Sequence, residues 1–265
     1  MSDSVIYEQR GRVVIMTLNE PESRNSISPG IIDALAENVE RVNDDLSIGC
    51  VILTANGPSF SSGGNVKTMK RHAESPTLKP VEVRRHYMNG IHKIPLALYD
   101  LECPIIAAVN GPAIGAGCDL AAMCDIRIAG KSAKFSESFA RLGLISGDGG
   151  AWFLPRVVGL SKAYELTFTC ESISAEEAHQ IGLVSKVVED NALLETSLDM
   201  ANRIATHPVH SLRLSKKLIR DSQQIPLHVS LDMAASAQAL ARHTDDQREA
   251  VLAAAERRAP VFTGR

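Results

Sequence analysis

Nowhere does this chain carry a run of about 18 consecutive apolar residues, which excludes a membrane-spanning helix of the usual length. Its first residues, Met1-Ser2-Asp3-Ser4, have neither the basic stretch nor the apolar core of a signal peptide, so a cytoplasmic chain is expected. Excess basic charge is missing too. With 28 Lys and Arg against 31 Asp and Glu, the formal net charge is −3 and the pI about 6.2. That argues against a general binder of nucleic acid or of membrane surfaces. The five cysteines (Cys50, Cys103, Cys118, Cys124, Cys170) are odd in number and lack Cys-x-x-Cys spacing, so they read as buried free thiols in a reducing compartment.

Several motifs are also absent. Gly115-Ala116-Gly117 would need a third glycine where Leu120 stands, so there is no dinucleotide fingerprint. No serine sits in a Gly-x-Ser-x-Gly setting, which removes the strained nucleophile turn of serine hydrolases. His207-Pro208-Val209-His210 has a proline between its histidines and no neighbouring carboxylate, so it reads as a helix start, and no metal is expected. Low-complexity tracts and short tandem repeats are lacking.

What is present suits a packed α/β domain. At 265 residues and 45% hydrophobic content, one large domain with an appendage can bury a full core. Val13–Leu18 and Cys50–Thr54 read as strands flanking a helix that Ser28-Pro29 opens, with Ile31, Ile32, Leu35, Val39 and Val42 at helical spacing. This is a βαβ-like unit with a parallel pair. Ser75–Val83 reads as a loop before a helix near Val83–Lys93. Ile105–Val109, Ile126–Ile128, Ala133–Ser136 and Gly182–Val188 are further strand candidates. Helices are expected at 116–124, 150–158, 161–169 and 174–181, and the pattern from Ala192 onward is helical, giving an α/β core at 1–200 and a helical region at 201–265.

Two glycine-rich bends carry the chemistry. Ser62-Gly63-Gly64-Asn65 follows one strand, and Gly115-Ala116-Gly117 follows another and opens a helix. A strand that breaks at glycine before a helix leaves backbone N–H groups without partners. Two such bends facing one another would hold a single oxygen between two donors, as an enolate or tetrahedral oxyanion requires. Acids lie nearby in sequence, each with two readings. Asp119 is either a first-turn acid favoured by the helix dipole or a proton carrier. Glu137 shares the apolar face of Phe135 and Phe139 if the segment is extended, and so needs either a partner or a task. Asp148 closes an Asx turn or takes part in catalysis. Arg24 and Lys67 are surface charges or phosphate contacts at bends after strands.

At this point the residues resemble a known family. Phe60-Ser-Ser-Gly-Gly-Asn-Val-Lys67, Ala108-Val-Asn-Gly-Pro-Ala-Ile-Gly-Ala-Gly-Cys-Asp-Leu120, Met123-Cys-Asp-Ile-Arg-Ile-Ala129 and Gly149-Gly-Ala-Trp-Phe-Leu-Pro-Arg156 are similar to the enoyl-CoA hydratase/isomerase (crotonase) family, over nearly the whole chain. The resemblance implies a spiral of ββα units, a C-terminal helical trimerisation region, and homotrimers or homohexamers. It implies an acyl-CoA thioester whose carbonyl oxygen rests between the N–H groups of Gly64 and Ala116, with no cofactor beyond the coenzyme A of the substrate. Gly64, Asn65, Val66 and Lys67 would follow the acyl-CoA, Arg24 and Ser62 its nucleotide part, and Phe262 would reach toward it from a helical region. The segment Lys70–Pro95 should line the acyl pocket.

The departures from the family pattern concern the proton carriers. The first hydratase carboxylate falls on Asp119, and the second falls on Phe139, which moves no proton. Glu137, two residues earlier, is the expected substitute, and a third acidic position of some isomerases falls on Gly147, beside Asp148. The resemblance therefore implies water addition to an enoyl-CoA by Asp119 and Glu137. A double-bond isomerase using one carboxylate is the alternative, and a thioester-binding protein without turnover is a third. Both acids beside the carbonyl would favour hydration, one would favour isomerisation, and neither would favour binding alone.

Overall fold

The computed structural model describes residues 4–74 and 79–265, apart from the side chain of His72. The chain opens with an antiparallel pair, β1 (Val5–Arg10) and β2 (Val13–Leu18). Ser28 then caps α1 (Pro29–Asp44): its hydroxyl accepts the Ile31 N–H at 3.1 Å, and Pro29 at the first position has no N–H to leave unpaired. Ile31, Leu35, Val39 and Val42 form the buried stripe. β3 (Cys50–Ala55) pairs parallel with β2, as the βαβ reading requires.

Three helices follow: α2 (Val66–Glu74), α3 (Pro80–Asn89) and α4 (Lys93–Asp100). Here the sequence reading needs correction. α3 begins at Pro80, inside the expected loop, because the Glu82 carboxylate accepts the Lys79 N–H at 2.7 Å and Pro80 occupies the first turn. The remainder of that expected loop, 75–78, lies outside the described residues. Next come β4 (Ile105–Val109), β5 (Ala113–Ile114), α5 (Ala116–Ala122), β6 (Ile126–Gly130) and β7 (Lys134–Ser136). α6 (Gly150–Val158), α7 (Leu160–Thr169), β8 (Ser172–Ser174), α8 (Ala175–Gln180) and β9 (Lys186–Val188) complete the core segments. The chain ends with α9 (Leu193–Ala205), α10 (Val209–Ser222), α11 (Leu227–Arg242) and α12 (Asp245–Glu256).

The main sheet has the order β1-β2-β3-β4-β6-β9 and is parallel except at β1. A second sheet, β5-β7-β8, takes in Ser61 through a bridge to Ala113. Both faces of the main sheet are apolar, which is why its strands read as continuous hydrophobic runs. Val14, Met16, Val51, Leu53, Ala107 and Val109 face α1 and the larger core. Alternate residues Val13, Ile15, Cys50, Ile52, Ile106 and Ala108 face Leu193, Ala201 and Ala205 of α9. A division between residues 200 and 201 falls inside α9, so the helices that leave the sheet begin with α10. That helix is tied back by Arg213, whose guanidinium donates to the carbonyls of Val42, Asn43 and Asp45 at the end of α1. All five cysteines are free and buried, and no described helix is long and apolar enough to cross a membrane.

Candidate active site

The two bends meet beyond the carboxyl ends of the parallel strands β3 and β4. They are stitched together by the backbone, Ser61 N–H donating to Pro112 O at 3.2 Å and Ile114 N–H to Ser61 O at 2.9 Å, and Gly115 N–H ties the second bend to β7 through Ser136 O at 2.7 Å. Gly63 has φ 74°, and a β-carbon there would overlap the Ile114 carbonyl, so this approach requires glycine. The result is one cavity of about 170 Å³ whose wall includes both Gly64 and Ala116. Among the described residues, neither the Gly64 nor the Ala116 N–H donates to any protein acceptor. Ala116 is the first residue of α5, where an N–H has no acceptor within the helix.

Three acids gather beside this cavity. Asp119 lies in the first turn of α5 with no exposure at all, Glu137 follows β7 at 1% exposure, and Asp148 precedes α6 at 3%. The Ser146 hydroxyl stands between two of them, 2.9 Å from Asp119 Oδ2 and 3.3 Å from Asp148 Oδ1, and accepts the Ala151 N–H at 3.1 Å. Asp119 Oδ1 and Glu137 Oε1 have no hydrogen-bond partner, and among the described residues no Lys, Arg or His forms an ion pair with any of the three acids. A buried, unpaired carboxylate is costly, so protonation relieves it. Burial first, then the charges of Glu137 and Asp148, hold the Asp119 carboxyl well above the usual carboxylate range. Burial likewise pushes Glu137 up to about 7, with hydrogen bonds involving Cys118 and Asp119 opposing it and the charge of Asp148 adding to it.

Contacts show that, among the described residues, neither Asp119 nor Asp148 caps a backbone N–H. Asp119 sits in the first turn of α5, as the dipole reading expects, but accepts no N–H of that helix as a cap would, and its carboxyl faces Gly150 and Ser146. Asp148 accepts no backbone N–H among the described residues, and the loop is closed by Ser146 rather than by an Asx turn.

The shared face expected for Glu137 and Phe139 is a correction. β7 stops at Ser136, and Phe139 has helical backbone angles (φ −62°, ψ −48°), so the segment is not extended. Phe139 lines the cavity of Gly64 and Ala116, while Glu137 lines an adjoining apolar chamber of about 330 Å³ with Leu154, Leu160 and Phe168, the two meeting at Leu144. Of the three acids, Asp148 is the one on the wall that carries both N–H groups.

The other candidates divide in the same way. Ser62 and Val66 line the cavity, as do Tyr87 and Ile91 from the segment expected to form the acyl pocket. Asn65 accepts the Lys67 and Thr68 N–H groups at 3.0 and 3.3 Å and so caps α2, while Lys67 is exposed. Arg24 is exposed in the left-handed region (φ 55°), and its carbonyl accepts the Ser62 N–H at 2.9 Å, which places it against the first bend. Phe262 is on the tail that Asp246 anchors through the Thr263 and Gly264 N–H groups, and it is not among the residues lining this cavity. Ser146 and Gly150 escaped the sequence reading. The signal was there: a serine shortly before a helix is an N-terminus marker. No described cluster of His, Cys, Asp and Glu has metal-binding geometry.

Comparison with known proteins agrees with this architecture. The family model for enoyl-CoA hydratase/isomerase matches residues 8–265. A short-chain-enoyl-CoA hydratase of Clostridium acetobutylicum is 35% identical, over 97% of this chain and 96% of that one. A 1,2-epoxyphenylacetyl-CoA isomerase of Escherichia coli K12 is 37% identical over the full length of both. Among solved structures, an enoyl-CoA hydratase from Bacillus anthracis superposes with a TM-score of 0.91 at 32% identity, covering 99% of this chain and 100% of that one.

Proposed function

The chain belongs to the enoyl-CoA hydratase/isomerase family and has an enoyl-CoA hydratase-like function, and from that premise we propose how its own residues carry the reaction. The thioester carbonyl of an enoyl-CoA sits between the N–H groups of Gly64 and Ala116. Charge that develops on this oxygen as the double bond is attacked is stabilised by two fixed donors. A single such donor is typically worth about 3 kcal/mol in the transition state. Asp148 takes a proton from water as the oxygen adds to Cβ, the resulting enolate gains a proton at Cα from the acid cluster, and the proton on Asp148 restores the one the cluster gave up. Atoms balance as enoyl thioester plus water giving 3-hydroxyacyl thioester. The reaction is redox-neutral and calls for no cofactor beyond the coenzyme A of the substrate.

The observation that carries this reading is that Asp148 lines the same cavity as Gly64 and Ala116, whose N–H groups are unpartnered among the described residues. Asp119 and Glu137 are the proton reserve behind it, Glu137 through its contact with Asp119. Gly64 to Lys67 follows the acyl-CoA, Arg24 and Ser62 flank its nucleotide end, and Phe262 reaches it from a neighbouring copy in a homotrimer or homohexamer.

One observation favours a second reading. Phe139 lines the cavity of the two donors, and of the three acidic residues Asp148 alone lines it with them, which suits a double-bond isomerase where Asp148 removes a proton and returns it two carbons along. Turnover of 2-enoyl- and 3-enoyl-CoA thioesters, with product identification in deuterium oxide, decides. A 3-hydroxyacyl product supports hydration, a shifted double bond without added oxygen supports isomerisation, and no product above background overturns both.

A further inference from the structure

The Ser146 hydroxyl has one hydrogen and two lone pairs, and three groups surround it. The Ala151 N–H at 3.1 Å takes one lone pair. Asp119 Oδ2 at 2.9 Å and Asp148 Oδ1 at 3.3 Å compete for what is left. The single hydrogen serves only one carboxyl at a time, so both contacts are hydrogen bonds together only when the other carboxyl is protonated and donates to Ser146 Oγ. The geometry therefore stores one proton on this pair in either of two orders. In one, Asp119 is the acid, it donates to Ser146, and Ser146 donates to an Asp148 carboxylate. The opposite order makes Asp148 the acid. Interconversion shifts one proton from carboxyl to hydroxyl and one from hydroxyl to carboxyl, with no change in total charge.

Position decides between the two orders. Asp119 is fully enclosed, lies beside Glu137 and Cys118 and is not on the wall of the donors' cavity, whereas Asp148 is. Negative charge is better tolerated at the cavity, so the proton belongs on Asp119. We propose that Ser146 is a positioning residue that couples the protonation of Asp119 to that of Asp148, holding Asp148 as the carboxylate that faces the reaction cavity. This rests on Asp148 being the proton carrier of the proposed reaction. The other titratable groups packed here are Cys118 on α5, Glu137 after β7, Tyr87 against Gly147, and His92, whose Nε2 lies 2.8 Å from Gly147 O.

Ser146→Ala and Ser146→Thr separate the coupling from mere loop closure. A readout without turnover is the infrared band of the protonated Asp119 carboxyl in the full chain, assigned by its disappearance in Asp119→Asn. Loss of the hydroxyl acceptor should move that band to higher frequency in the alanine variant, and threonine should return it. In kinetics, alanine should lower kcat by about 10- to 100-fold with KM within a few-fold, as expected for losing a hydrogen bond to a charged group. The acidic limb of the kcat profile should also shift to higher pH, because the donor that favours the charged base is gone. Threonine should restore both. An unmoved band in alanine overturns the proposal, as does an active alanine variant with the wild-type pH profile. Absence of wild-type turnover with the band shift intact would instead count against the reaction assigned to Asp148 and leave the coupling established.

Discussion

The carboxyl of Asp119 rests directly on the α-carbon of Gly150: a β-carbon at that position would overlap both carboxyl oxygens. The first residue of α6 is thus glycine so that an acid from α5 can be buried against it. Gly150→Ala should displace Asp119 from Ser146, destabilise the fold by about 1–3 kcal/mol as an overpacked site does, and depress turnover further than the stability loss explains. Thermal melting together with kcat at a temperature well below the melting point checks it. An active, equally stable alanine variant would show that Asp119 can be moved without consequence.

Ala116→Pro removes one proposed carbonyl donor while keeping a small side chain. Proline is tolerated at the first position of a helix, which Ala116 occupies in α5, and the preceding Gly115 is free to accommodate it. Turnover should fall by about 10²-fold or more, with a melting temperature near that of the wild type. Wild-type turnover in a folded variant would remove Ala116 from the site.

The acids should differ in effect, because they differ in what they face. Asp148→Asn keeps the size and hydrogen bonding of a group on the reaction wall but takes no proton, so kcat should drop by about 10²–10⁴-fold. Asp119→Asn should also impair turnover, acting through Ser146. Glu137→Gln, on the wall of the neighbouring chamber, should cost the least, and thioester affinity should stay within a few-fold in all three. Phe139→Glu places a second acid on the reaction wall and should raise the share of 3-hydroxyacyl product. If Glu137→Gln proves as damaging as Asp148→Asn, Glu137 reaches the substrate by a route other than this cavity.

Glu137 also sets a dependence of stability on pH. Burial raises it from its ordinary 4.5 to about 7, so the folded chain binds this proton more tightly than the unfolded one. Its contribution is full below about pH 4.5 and is lost as pH rises through about 7. Glu137→Gln should therefore stabilise the chain at about pH 8, by at most about 3 kcal/mol, and leave stability near pH 4 almost unchanged. Denaturant unfolding at the two pH values measures the difference. An equal effect at both would mean that Glu137 is already relieved by an unseen partner.

No residue of α11 is buried, and Leu227 and Leu231, one turn apart, are 69% and 58% exposed. An apolar face of that kind marks an interaction surface. Light scattering should give a mass about three or six times 28.6 kDa. The pair Leu227→Asp and Leu231→Asp, one turn apart on the same side of the helix, should lower it. A monomer at micromolar concentration would contradict the assembly proposed for this chain.

Local pattern was enough to recognise most of the core. The runs Val13–Leu18, Cys50–Ala55 and Ile105–Val109 are apolar on both faces, and Ser28-Pro29 marks a helix start wherever it occurs, so strands, parallel pairing and α1 were legible from residue order. The glycine bends at 62–65 and 115–117 were legible as well, since glycine there answers to backbone geometry. The orientation of the acids was not. Whether Glu137 points with Phe139 depends on where β7 stops pairing, and that is set by β5 and β8, from distant parts of the chain. The selection of Asp148 for the reaction wall, and of Ser146 to bridge it to Asp119, depends on α6 packing against α5 through a glycine contact. Sequence alone determined which chemical groups were available and which backbone turns would hold them. Tertiary packing decided which acid is fully enclosed and which one lines the cavity of the two bends, because burial and neighbouring charge are properties of the assembled core and of no single segment.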